Sequence, residues 1–118
     1  MFYALLNILK VKKIPCILLE NVQGLVNLKK GQVFNTILTH LKDLNYECFW
    51  KVFNCSDYGI PQNRKRLFIV GFHKRIHTGS HIFEFPPKTR LKCTLSELLE
   101  KNLNQEIART IRVGGVRH

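Results

Sequence analysis

Acidic side chains are scarce in this sequence. Eight Asp and Glu stand against 19 Lys and Arg, a formal net charge of +11 over 118 residues. That imbalance makes a polyanionic partner, most commonly nucleic acid, the first reading, against the plainer one of a solvated surface that happens to be basic. The basicity is uneven: from Arg64 to Lys92 there are eight Lys or Arg and a single acid, Glu84. Long apolar runs are missing as well, and none approaches the roughly 20 residues of a membrane span. The opening Met1-Phe2-Tyr3-Ala4-Leu5-Leu6-Asn7 lacks the basic region and small-residue cleavage site of a signal peptide. Cysteine is sparse: Cys16, Cys48, Cys55 and Cys93 are too scattered for a disulfide scaffold. They read as reduced thiols of an intracellular protein, in cytoplasm or nucleoid, or in the nucleus of a eukaryote.

Metal-binding spacing is absent too. His73-Lys74-Arg75-Ile76-His77-Thr78-Gly79 imitates the end of a zinc finger, and Cys48 and Cys55 could be offered as its cysteines. Six residues separate the cysteines and seventeen separate Cys55 from His73, against two to four and about twelve in a finger. No metal site is expected, and His73, His77 and His81 read as part of a solvated, anion-facing loop. Internal repeats and low-complexity tracts are also lacking.

What is present fits one globular domain. An apolar fraction of 45% suits a folded chain, and this length buries roughly two thirds of its unfolded surface. Phe2, Leu5, Leu6 and Leu9 recur at helical spacing, with Ile8 widening the stripe, so residues 2–10 read as a helix. Ile14-Pro15 breaks it. Cys16-Ile17-Leu18-Leu19 has the continuous apolar character of a buried parallel strand and stops abruptly at Glu20-Asn21. After Gly31 a second helix carries Val33, Phe34, Ile37, Leu38, Leu41 and Leu44 on one wide face. Strands are expected over 47–54 and 66–73, joined by a turn over 56–63. Trp50 and Phe53, lying within a strand, read as core rather than as base-stacking platforms. Thr94 with Glu97 three residues on is a capping box opening a short helix. Helix, strand, helix, strand, strand is half of a doubly wound α/β sheet. The texture changes near residue 86, giving segments 1–86 and 87–118, and the second ends in a basic tail containing Gly114-Gly115.

Two features carry chemistry. In open α/β sheets ligands bind at the carboxyl ends of strands, where Glu20 and Asn21 stand. A carboxylate there is costly unless it has a role, although alone Glu20 reads equally well as a salt-bridged loop acid. The second is Tyr58-Gly59-Ile60-Pro61-Gln62-Asn63-Arg64-Lys65-Arg66, a turn running into the apolar Leu67-Phe68-Ile69-Val70-Gly71-Phe72. On an extended strand Arg64 and Arg66 share one face, anchored by the apolar run behind them. A carboxyl group accepts from an exocyclic amine and shares a proton with a ring nitrogen, while a guanidinium holds a carbonyl oxygen. Cytosine presents N4, N3 and O2 on one edge, reachable only once the base leaves the duplex.

Ile14-Pro15-Cys16-Ile17-Leu18-Leu19-Glu20-Asn21-Val22-Gln23-Gly24-Leu25 resembles the Glu-Asn-Val block of the cytosine-5 DNA methyltransferases. Asp57 through Gly71 is similar to their Gln-x-Arg-x-Arg block. Order and separation of the two blocks also fit, and the resemblance covers residues 1 to about 100. It implies a Rossmann-like, S-adenosylmethionine-dependent methyltransferase sheet, here incomplete, of the kind found in restriction-modification systems. It implies that Glu20 contacts the target cytosine at N3 and N4 and that Arg66 contacts O2, with Arg64 beside it. Asn21 and Gln62 would shape the pocket, and double-stranded DNA with a flipped cytosine would be the substrate. Arg109 to His118 resembles, more weakly, the opening of a target-recognition region.

The departures are equally informative. The family's glycine-rich block, the main seat of S-adenosylmethionine, is absent from this chain, and no Pro-Cys nucleophile loop precedes residue 14. Pro15-Cys16 is not a substitute. Cys16 and Glu20 lie four residues apart on one strand, about 13 Å between Cα atoms, too far to flank one small ring, so Cys16 reads as a buried thiol. The expectation is a fragment or split subunit of a DNA (cytosine-5-)-methyltransferase, inactive alone and completed by a complementary N-terminal subunit. A missing half would leave an apolar sheet edge and helix faces uncovered. The alternatives are a non-catalytic basic nucleic-acid-binding module and a fragment of an RNA cytosine methyltransferase relative.

Overall fold

A computed structural model of the chain describes residues 2–76, 83–91, 93–99 and 108–109. Helix α1 (Phe2–Lys12) leads into strand β1 (Cys16–Val22) through Ile14-Pro15, the break its sequence calls for. Two short 3-10 turns, Gln23–Val26 and Leu28–Gly31, connect β1 to α2 (Gln32–Asp43). Lys29, Lys30 and Gly31 all adopt left-handed backbone there, and glycine at the last position starts the helix without steric cost. Strand β2 (Tyr46–Asn54) follows, then a 3-10 turn, the two-residue β3 (Gln62–Asn63) and strand β4 (Lys65–His73). Helix α3 (Leu95–Leu98) is a single turn, closed by the expected capping box. The Thr94 N–H donates to Glu97 Oε2 (2.8 Å) and the Glu97 N–H to Thr94 Oγ1 (3.3 Å). Strand β5 (Ala108–Arg109) is a short parallel partner of β3.

The described residues fall into two compact units, Met1–Val52 with Arg66–Phe85, and Phe53–Lys65 with Pro86–His118. The first holds a three-stranded sheet in the order β1-β4-β2. Strands β1 and β4 are antiparallel, with Ile17 opposite Gly71, Leu19 opposite Ile69 and Val22 opposite Arg66. The bond from Lys74 N–H to the Asn45 carbonyl (2.8 Å) sets β2 antiparallel to β4 as well. Strands β1 and β2 therefore run the same way, separated by β4. This mixed α/β architecture with an incomplete sheet is the one expected.

One face of the sheet carries the core. Ile17, Leu67, Ile69 and Tyr46 are buried against Leu6 and Leu9 of α1 and Phe34 and Leu41 of α2. Gly71 is required at this contact. A Cβ there would lie 2.7 Å from Ile17 Cγ1, closer than any tolerated approach. The Tyr46 hydroxyl donates to the Ile14 carbonyl, tying β2 to the α1–β1 connection. On the opposite face Phe49, Phe72, Phe83 and Phe85 form a chain of ring contacts with centroids 5.0–6.3 Å apart.

Four expectations are corrected. Cys16 is exposed, not buried, because the β1 register puts it on the open face with Leu18, which is 66% exposed. The apolar run of β1 is thus not a strand buried between two neighbours of its own direction. It lies at a sheet edge, with β4 as its one partner among the described residues. His73 is not on a solvated loop. It ends β4, is 8% exposed and packs edge-on against Tyr46. Trp50, read as core, is 44% exposed while its ring meets Phe34 edge-on at 4.8 Å. His77, His81 and Gly114-Gly115 lie outside the described residues.

Candidate active site

Alternation along β1 sends Ile17, Leu19 and Asn21 to the helix face and Glu20 and Val22 to the other. On β4 the same alternation buries Leu67 and Ile69 and turns Arg66 and Phe68 toward Glu20. Glu20 lies opposite Phe68 and Val22 opposite Arg66, so Glu20 and Arg66 are diagonal cross-strand neighbours, within reach of long side chains. They meet: Arg66 Nε is 3.2 Å from Glu20 Oε1. The arginine side chain is 22% exposed and the glutamate 51%. Two residues forty-six positions apart in the sequence thus form one ion pair at the carboxyl end of β1.

Asn21 stands beside this pair on the other face. Its Oδ1 accepts from the Val22 N–H (2.7 Å), which turns the chain out of β1 into the following 3-10 turn. Glu20 and Asn21 form the polar end of a groove walled by apolar side chains of α1, β1 and β4.

Arg64 and Gln62 belong to the second unit. Arg64 is in the break between β3 and β4, so no continuous strand links it to Arg66. Its backbone is held firmly. The Arg64 N–H donates to Asn54 Oδ1 (3.1 Å), and its carbonyl accepts from the Cys55 N–H (3.1 Å). Asn54 also accepts from the Ser56 N–H (3.4 Å) and donates to Asn63 Oδ1 (2.8 Å). Gln62 donates its N–H to the Ile60 carbonyl (2.7 Å), and Gly59 takes the left-handed backbone (φ 86°) that this turn requires. Beneath it, the Thr89 N–H donates to the Asp57 carbonyl (2.7 Å) and the Tyr58 hydroxyl to the Pro86 carbonyl (2.9 Å). Asn54 is the residue that sequence reasoning missed. Its signal was there, an Asn ahead of Cys55-Ser56-Asp57 in the N-cap position of a short helical turn.

Comparison with known proteins decides the lineage of this pair of strands. Residues 1–112 match the model of the C-5 cytosine-specific DNA methylases. The chain belongs to that family. It is 37% identical over 106 residues to the Type II methyltransferase M.SsoII of Shigella sonnei, covering 90% of this chain and 28% of that protein. It is 37% identical over 113 residues to M.DsaV of Dactylococcopsis salina, covering 96% of this chain and 32% of the relative. Among solved structures, a Spodoptera frugiperda DNMT2 mutant superposes with a TM-score of 0.65 at 23% identity. The match covers 88% of this chain and 32% of that one, a likeness that shows the fold. The chain of this methylase-family member therefore spans about a third or less of its relatives' length.

Membership in a family of S-adenosylmethionine-dependent transferases raises the question of the cofactor. Its amino-acid tail, ribose and adenine need many polar partners. The groove at the end of β1 offers Glu20 and Asn21 among otherwise apolar walls, so these residues do not fit the cofactor. No helix among the described residues is long and apolar enough to cross a membrane.

Proposed function

We propose that this chain is the cytosine-reading part of a DNA (cytosine-5-)-methyltransferase. The observation that carries the reading is the Glu20–Arg66 ion pair on the exposed face at the end of β1. The Glu20 carboxylate accepts from the cytosine N4 amine and shares a proton at N3. The Arg66 guanidinium donates to O2, where negative charge grows as the ring is attacked. Held against each other, the two side chains keep each other oriented until a flipped base enters between them. Arg64 is proposed as a second cation of the cytosine site and Gln62 as a pocket residue, while Asn21, whose side chain takes the helix face, holds the chain turn that follows Glu20. Residues 87–118 are a connector and the start of the target-recognition region, and the substrate is double-stranded DNA. The nucleophile and the S-adenosylmethionine site come from a complementary methyltransferase segment outside these residues, and the assembly acts inside the cell. The Type II character of the relatives supports a place in restriction-modification.

The test is reconstitution. The 118-residue chain alone should transfer no methyl group from radiolabelled S-adenosylmethionine to DNA, whereas mixing with a complementary segment should restore transfer. In that mixture Glu20→Gln or Arg66→Ala should lower the rate by about 10²–10⁴-fold. An unchanged rate would remove both residues from the site, and turnover by the chain alone would end the split reading. Because Glu20 is half exposed, Glu20→Gln should cost stability only about 0–1 kcal/mol; Arg66, 22% exposed, is mostly covered, so the melting midpoint of Arg66→Ala is measured beside its rate. A rate lost in Glu20→Gln is then not lost folding.

A further inference from the structure

Cations gather at the end of the sheet away from the Glu20–Arg66 pair. Three segments meet there: the α1–β1 connection, the α2–β2 connection and the exit from β4. Backbone bonds tie them together. The His73 N–H donates to the Pro15 carbonyl (2.8 Å), the Lys74 N–H to the Asn45 carbonyl (2.8 Å) and the Asn45 N–H to the Lys42 carbonyl (3.0 Å). All three segments belong to the first compact unit. Residues 10–15, 40–45 and 73–76 carry Lys10, Lys12, Lys13, Lys42, Lys74 and Arg75, every one exposed, against one acid, Asp43. Asp43 borders the same hollow as Lys10, so it offsets one cation at most. None of the six cationic side chains has an ion-pair partner among the described residues.

Lysines at helix ends have a plainer use, because a cation there complements the helix dipole. That accounts for Lys10, Lys12 and Lys42. It does not account for Lys74 and Arg75, which follow a strand, or for Lys13. Lys13 takes left-handed backbone (φ 49°) just past α1, a place where glycine or asparagine is usual. Asn45 fills the corresponding place after α2 (φ 66°). A lysine at this position keeps a cation in the cluster at a steric cost.

We propose that this amino end of the β1-β4-β2 sheet is a second DNA surface. It binds the phosphate backbone of a duplex segment other than the one whose base reaches Glu20 and Arg66. Pro15 and Glu20 are about 17 Å apart along β1, so the two surfaces lie at opposite ends of the strand. Strands β1 and β2 are about 10 Å apart across β4, a span of about three phosphates of one DNA strand. The three segments hold no aromatic residue and expose two large aliphatic ones, Val11 and Ile76. An anionic membrane, which needs an apolar face beside the cations, is the poorer occupant. The proposal stands apart from the cytosine reading and survives if Glu20 and Arg66 touch no base.

The experiment is lysine footprinting of the 118-residue chain with an acetylating ester, with and without a mixed-sequence duplex at roughly 50 mM salt, read by peptide mass mapping. Lys12, Lys13, Lys42 and Lys74 should each react about fivefold more slowly with DNA present, since a phosphate-bound amine is withdrawn from the reagent. Lys12→Glu with Lys13→Glu should lower the salt slope of duplex binding by about two phosphate equivalents and at least halve the protection of Lys42 and Lys74. Glu20→Gln and Arg66→Ala should leave that protection unchanged. Unprotected lysines in the parent, a slope indifferent to the Lys12/Lys13 reversal, protection lost with Glu20→Gln or Arg66→Ala, or tighter binding to phosphatidylserine vesicles than to the duplex would each overturn the proposal. The reversed variant should melt like the parent; if it melts lower, the footprints of the parent and of Glu20→Gln decide.

Discussion

The two thiols nearest the sheet behave oppositely because alternation places them oppositely. Cys16 is on the open face of β1, whereas Cys48 of β2 faces the helices, its sulfur beside Gly71. Desolvation, with a smaller push from the Glu47 carboxylate, raises the Cys48 thiol from its ordinary 9.0 to about 11. Only the thiolate is a good nucleophile, so iodoacetamide at pH 8 should label Cys16 well before Cys48, as read by peptide mass mapping. Equal rates would place Cys48 outside the core. The sign of the pH effect follows from the same shift. Between pH 9 and 11 the unfolded chain has lost a proton that the folded chain retains, so stability falls as pH rises through that window. Tyr46, also raised by burial, acts in the same direction. The sequence showed both cysteines in apolar company, but company alone does not say which face of a strand a side chain takes. That is why Cys16 was expected to be buried and is not.

At the scale of elements, periodicity was a good guide wherever one face meets the core. Helices α1 and α2 and strands β2 and β4 lie within two residues of the expected spans, because their stripes match 3.6 or 2.0 residues per turn. The meeting of Glu20 with Arg66 was legible only through family resemblance, since antiparallel register between strands so far apart in sequence leaves no local trace. An uncovered apolar sheet edge was expected, but the sequence did not say which strand forms it. An apolar run reads alike whether a neighbouring strand is present or not. The turn before β4 hid its key residue, because Asn54 acts through three hydrogen bonds to backbone and side chain rather than through any motif. Asn54→Ala should therefore cost about 1–2 kcal/mol, lowering the melting midpoint by roughly 4–8 °C for each kcal/mol. Asn54→Asp, which keeps the acceptor and loses the donor, should fall between. A midpoint unmoved by Asn54→Ala would show that Arg64 is held by the Cys55 bond alone.

For the whole molecule, the net charge of +11 has a measurable consequence independent of catalysis. An excess of eleven positive charges gives DNA association driven by counterion release, which weakens linearly in log–log terms with added salt. The cytosine-reading pair contributes little to that slope, because Arg66 is already neutralised by Glu20 at 3.2 Å and engages a base rather than a phosphate. Fluorescence anisotropy with a labelled duplex should accordingly show binding by the chain alone. Six to ten phosphate contacts would make that binding fall by about 10³–10⁵-fold between 50 and 200 mM salt. Arg66→Ala should leave the slope unchanged within one phosphate equivalent. Charge reversal in the basic stretch, for example Lys74→Glu with Arg75→Glu, both exposed at the end of β4, should reduce it by about two. A slope that drops with Arg66→Ala and ignores the Lys74/Arg75 change would mean that Arg66 spends its charge on the backbone. The base-contacting role proposed for it would then have to pass to Arg64.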